Sequence, residues 1–173
     1  MNSNVIFRNI GRFVLLMLLQ LTVFNNIYLG GYINPCIYLL FVAMLPTNTG
    51  RLAMLLISFG SGLFIDLFSN MPGFHTAACT LVGFLRVMWA DKILLRDNDD
   101  TIETPSIYSV SYQQFSIYLL LLLIAYYLLY YMLVDFSLRG LPATLLSTLF
   151  SSLVTFLLAL LYQSLFLRKT KKD

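Results

Sequence analysis

Charge is what this sequence has least of. Of 173 residues, 11 are Lys or Arg, 8 are Asp or Glu and one is His, so 11% are charged while 59% are hydrophobic. A soluble domain carries about 25% charged residues, so an ordinary water-facing surface is excluded. Cysteine is nearly absent as well. Cys36 and Cys79 form no CxxC and no framework, and Cys79 reads as a small packing residue within a span. With one histidine there is no metal-ligand spacing, and the chain has neither a glycine-rich phosphate loop nor an internal repeat. Catalytic, cofactor and metal residues are therefore all assigned as none. The net charge of +3 is too small to suggest nucleic acid as a partner. No stretch between the apolar runs exceeds roughly 20 residues, too few for a separate soluble domain.

What is present is long uncharged sequence. Residues 141–167 alone would make a helix of about 40 Å, enough to cross a hydrocarbon core of about 30 Å. The chain reads as one all-α integral membrane domain with six spans, at about 10–29, 33–49, 52–70, 74–94, 113–134 and 141–167. The basic start followed by Phe13–Phe24 could be a signal peptide. No small-x-small cleavage site follows, so it reads as an uncleaved first span. Gln20 is its one strongly polar mid-span residue and should bond another helix. Gly30-Gly31-Tyr32 makes a turn. Pro35 opens the second span as a first-turn proline, and Pro46 breaks or bends its end.

The next two spans carry the chemistry. From Arg51 to Asp66 there are only 14 intervening residues, about 21 Å of helix, so the third span must continue past Asp66 to about Asn70. Met71-Pro72-Gly73 then forms the turn. The fourth span likewise encloses Arg86, which is nearer the opposite border and can snorkel towards it. Residues 97–112, with Asp97, Asp99, Asp100 and Glu103, form an exposed acidic connector. In the fifth span Tyr130 and Tyr131 suit an interfacial aromatic belt. In the sixth, Ser147, Ser151, Ser152 and Thr155 can bond their own carbonyls or a neighbouring helix.

Six spans put both termini on one side. Ten of the eleven basic residues then lie on or face that side, leaving Arg139 alone opposite. The positive-inside rule makes that side the cytoplasm, with the basic tail from Arg168 to Lys172 inside.

Ser58, Gly62 and Asp66 fall four apart on one face of the third helix. His75, Cys79 and Gly83, with Arg86 slightly rotated, fall on one face of the fourth. The tight turn makes these helices antiparallel, so the two small, polar stripes should face each other or a shared cavity. Arg86 lies about 16 Å along its helix from His75, so Asp66 is better placed for His75 than for Arg86. Three roles for Asp66 stay open: bracing the turn, for example through Ser69 or Asn70; binding a partner; or transport or chemistry. No serine has a matching histidine and acid at its depth, so the chain does not read as an enzyme.

Several of these stretches together carry a resemblance. They are the R-x-x-x-R-F start with its Leu-rich helix and Gln20, the prolines Pro35 and Pro46, the run F-G-S-G-L-F-I-D-L-F at 59–68 with Gly60 and Gly62, and P-G-F-H-T-A at 72–77. The chain resembles the MreD family along essentially its whole length. That resemblance implies a non-enzymatic, multi-pass scaffold in a bacterial cytoplasmic membrane that binds MreC. Through MreC it would be linked to MreB, RodA and a class B penicillin-binding protein in lateral peptidoglycan synthesis and cell shape. It also implies a fold similar to the S components of ECF-type vitamin importers. The rival readings are therefore a small-molecule-binding transporter subunit and an orphan small permease. S components dock through small residues on their first helix, whereas Phe13–Phe24 contains neither Ala nor Gly. The residues singled out as structural or partner-binding are Gln20, Gly60, Gly62, Asp66, Pro72, Gly73, His75 and Arg86.

Overall fold

The computed structural model describes residues 3–26, 33–94, 104–135 and 141–166. The Gly30–Tyr32 turn, the acidic stretch 97–103, Arg139 and the basic tail lie outside them. The described residues form helices: α1 (Ser3–Thr22), followed by a 3-10 turn at Phe24–Asn26, then α2 (Leu39–Ala43), α3 (Arg51–Ser69), α4 (Phe74–Ile93), α5 (Tyr112–Asp135) and α6 (Leu141–Phe166). Four helical stretches among them are long and apolar enough to cross a bilayer: Phe7–Asn26, Arg51–Ser69, Tyr112–Asp135 and Leu141–Phe166. Phe74–Ala90 is a shorter apolar helix.

The outer surface is apolar, unlike that of a water-soluble bundle, and several polar residues are buried. Leu67, Leu145, Leu149 and Leu165 face outward, the last 78% exposed, while Gln20, Ser58, Ser151 and Gln163 are fully buried. Helix α6 shows how the sequence produces this. Its buried residues, Thr144, Ser147, Thr148, Ser151, Ser152, Thr155, Ala159, Tyr162 and Gln163, recur with helical period and are mostly polar. The leucines occupy the remaining positions. Apolar side chains cost nothing against lipid, so only packing and hydrogen bonding hold the interior together.

The largest departure from the sequence reading is at the second span. Residues 33–49 do not form a crossing helix. Only Leu39–Ala43 is α-helical, and residues 35–46 are nevertheless all buried. Pro35 and Pro46 bracket the segment and each removes a backbone donor, which limits how far a helix can propagate between them. The buried segment runs antiparallel along α5. Asn34 lies against Tyr130, Cys36 against Tyr127, Tyr38 against Tyr126 and Ala43 against Tyr118. Those tyrosines span about 18 Å of α5. The aromatic-belt assignment of Tyr130 and Tyr131 is thereby corrected: both point inward and are buried. Their hydroxyls meet Asn34 and Ser151.

Candidate functional site: a polar core that solvates broken backbone

Helices α3 and α4 form the closest-packed pair in the bundle. The reason lies in two glycines. A Cβ on Gly62 would stand 2.6 Å from the His75 carbonyl oxygen and from Thr76 Cα. One on Gly83 would stand 2.3 Å from Ser58 Oγ. Only hydrogen at these positions lets the two backbones approach so closely. Gly60 is different. It is exposed, has open space beside it, and lines a lateral groove of about 580 Å³ with Asn9, Phe13, Phe41, Pro46 and Ala53.

The hairpin turn is closed by Asp66. Asn70 adopts the left-handed conformation at φ 51° and ends α3, with its N–H and that of Met71 donating to the Asp66 carbonyl. Pro72 is exposed, and Gly73 follows with φ 99°, a conformation that suits glycine. Gly73 is the residue that precedes α4, and it has no side chain with which to cap it. The Asp66 carboxylate does so instead. Oδ1 accepts the His75 N–H at 3.1 Å, and Oδ2 accepts the Thr76 N–H at 2.7 Å and the Thr76 hydroxyl at 2.5 Å. These are the second and third N–H groups of α4, the donors that a side-chain N-cap satisfies. A carboxylate there also faces the positive end of the helix dipole. Ser69, expected as one possible partner of Asp66, instead accepts from Asn25.

The Asp66–His75 pair expected from depth exists through the His75 backbone and not through its ring. The imidazole turns away into a tyrosine cluster. Its Nδ1 lies 2.5 Å from the Tyr126 hydroxyl, which lies 2.9 Å from that of Tyr38, and its ring packs 4.6 Å from Tyr130.

Arg86 does not snorkel. It is 2% exposed, and its guanidinium reaches inward to the carbonyls of Ala43 and Leu45. Tyr118 adds a hydroxyl donor to the Ala43 carbonyl at 3.2 Å. The Ala43 carbonyl ends α2 and that of Leu45 lies just beyond it, and an interior helix end leaves such groups without intrahelical partners. Gln20 performs the same service at the other end of the segment. Its Nε2 donates to the Pro35 carbonyl and its Oε1 accepts the Ile37 N–H, both at 2.9 Å. At the same end, the Cys36 N–H donates to Tyr127 and Thr155, and the Asn34 N–H to Ser151. Tyr127 in turn donates to the Asn34 carbonyl at 2.7 Å.

Gln20, Asp66 and Arg86 thus share one chemistry while occupying three places. Each completes peptide groups that the helices leave open. Tyr118, Tyr126, Tyr127 and Thr155 belong to the same network, and the sequence reading missed the three tyrosines. Their signal was present: tyrosines at 118, 126/127 and 130/131 share the period of the Ser/Thr positions on α6. Ser58 and Ser61 bond the carbonyls of Met54 and Ile57 in their own helix, so neither is aligned with a base. Among the described residues no group of three or more His, Cys, Asp or Glu could hold a metal.

No family model matches the chain, and no curated protein or solved structure does either.

Proposed function

We propose that this chain is a non-enzymatic membrane scaffold of the MreD type, acting in the machinery that directs lateral peptidoglycan synthesis and cell shape. In this reading it crosses the cytoplasmic membrane six times with both termini inside. The passes are α1, the buried segment 33–46, α3, α4, α5 and α6. Irregular backbone at membrane depth is tolerated where protein encloses it, as it does around residues 35–46. The partner is MreC, which would link the chain to MreB, RodA and a class B penicillin-binding protein. The exposed Met71–Pro72 turn is the candidate outer contact.

The observation that carries the scaffold reading is the use made of the intramembrane ionisable residues. Such residues are functional candidates by default. Here Asp66 and Arg86 are each bonded to backbone groups of a neighbouring element. Charges committed to peptide groups favour a rigid binding surface over a transport or catalytic centre. The test is depletion in a rod-shaped host with affinity purification of the tagged chain. Rounding of the cells and co-purification of MreC are expected. Cells that keep their shape but lose uptake of a nutrient would instead point to a transporter subunit with an S-component-like fold.

A further inference from the structure

We propose that Arg8, Arg12 and Gln163 form a binding site for a phosphate group, at the end of the bundle where α1, α6 and residues 104–107 meet. Arg12 is 7% exposed and Gln163 fully buried, yet Arg12 Nη1 and Gln163 Nε2 find no hydrogen-bond partner among the described residues. The Gln163 amide is oriented by its own oxygen, which accepts the Ile107 N–H at 3.0 Å and leaves the NH₂ group over. Arg12 lies beside Tyr162, the residue before Gln163, so both donors sit where α1 meets α6. Arg8 stands one turn before Arg12, close enough for the two charges to repel, and its guanidinium reaches the Thr104 hydroxyl at 3.5 Å.

Everything left unmet in this corner is a donor or a positive charge. Helix α1 contains no Asp or Glu, nor does α6, nor do residues 104–111. None of these three segments therefore supplies a counter-ion. A group with several anionic oxygens would accept from both orphan donors and relieve the repulsion between the arginines, and guanidinium geometry suits phosphate in particular. The surroundings favour a phospholipid headgroup as the source. Phe7, Ile10 and Val14 on α1 and Leu161 and Leu165 on α6 are exposed beside the site, an apolar surface along which acyl chains can lie.

The test uses the full chain purified in detergent. Its unfolding temperature is followed against added phosphatidylglycerol, phosphatidylcholine or inorganic phosphate. Phosphatidylglycerol should raise the unfolding temperature saturably and phosphatidylcholine, whose choline neutralises its phosphate, much less. Arg12→Gln should weaken the apparent affinity for phosphatidylglycerol about tenfold, as expected for one charge-assisted contact. If Arg12→Gln does not fold, two further variants carry the test. Exposed Arg8→Gln should weaken binding several-fold. Gln163→Glu should raise the lipid-free unfolding temperature while reducing the lipid response, because it supplies an internal acceptor. An equal response to inorganic phosphate, lost in the same variants, would assign the site to free phosphate. Wild type, Arg8→Gln and Gln163→Glu responding alike to phosphatidylglycerol would overturn the proposal.

Discussion

Asp66 on α3 accepts both the backbone N–H and the hydroxyl of Thr76 on α4, and so caps a helix to which it does not belong. The arrangement follows from the turn. Gly73 is favoured there for its positive φ, and the same choice deprives α4 of a local cap. Carbonyl and carboxylate of a single residue then close the end of α3 and the start of α4. A capping role has a distinctive mutational signature, because it needs an accepting oxygen on each side of the carboxyl group.

Asp66→Ala should lower the protein's stability in detergent by about 2–3 kcal/mol, the cost of a lost cap plus a buried donor left unpaired. Asp66→Asn should cost less than Asp66→Ala, about 1–2 kcal/mol, since its amide oxygen can replace only one of the two accepting oxygens and its NH₂ then faces a backbone N–H. In cells the alanine variant should reduce protein level or complex assembly. An Asp66→Ala variant as stable as wild type would show the capping account to be wrong.

The glycines should rank by what a methyl group meets. Gly62→Ala drives a Cβ into backbone, which cannot move aside, and Gly83→Ala drives one into Ser58. Each should cost about 1–3 kcal/mol, with Gly62→Ala the worse. Gly60→Ala meets open space and should be neutral or slightly stabilising. Thermal unfolding of the three variants in one detergent reads the order directly. A damaging Gly60→Ala beside a silent Gly62→Ala would contradict the α3–α4 packing.

Arg86→Leu should be among the most damaging single changes. It removes the donors to the Ala43 and Leu45 carbonyls and should cost about 3 kcal/mol. Arg86→Lys should recover part of this, with one ammonium in place of a fork. Hydrogen exchange should show faster exchange at 39–45 in Arg86→Leu. Protection there equal to wild type would mean that the carbonyls do not depend on the arginine.

Topology is testable with cysteine chemistry. Cys36 and Cys79 are both buried and free, so they give little background. A single cysteine introduced at Ser109, an exposed position preceding α5, should be labelled only by reagents with access to the cytoplasm. Labelling of intact cells by an impermeant reagent would require one pass fewer on one side of this position.

The sequence by itself determined much of the frame. Apolar runs between charges marked α3, α4, α5 and α6 to within a few residues, because lipid demands length and hydrophobicity of any helix that faces it. Four-residue spacing put Ser58, Gly62 and Asp66 on one face, because the helical period is fixed. What tertiary structure decided was where the polar groups went. The segment 33–49 is as apolar as a span, and its hydropathy does not distinguish a lipid-facing helix from a broken strand of chain wrapped by other helices. That choice depended on neighbours 75 or more residues away, Tyr118, Tyr127 and Thr155, which could solvate its peptide groups. The same physics turned Arg86 inward and His75 away from Asp66. A buried charge goes to the unsatisfied groups within reach, and only the packed fold sets which those are.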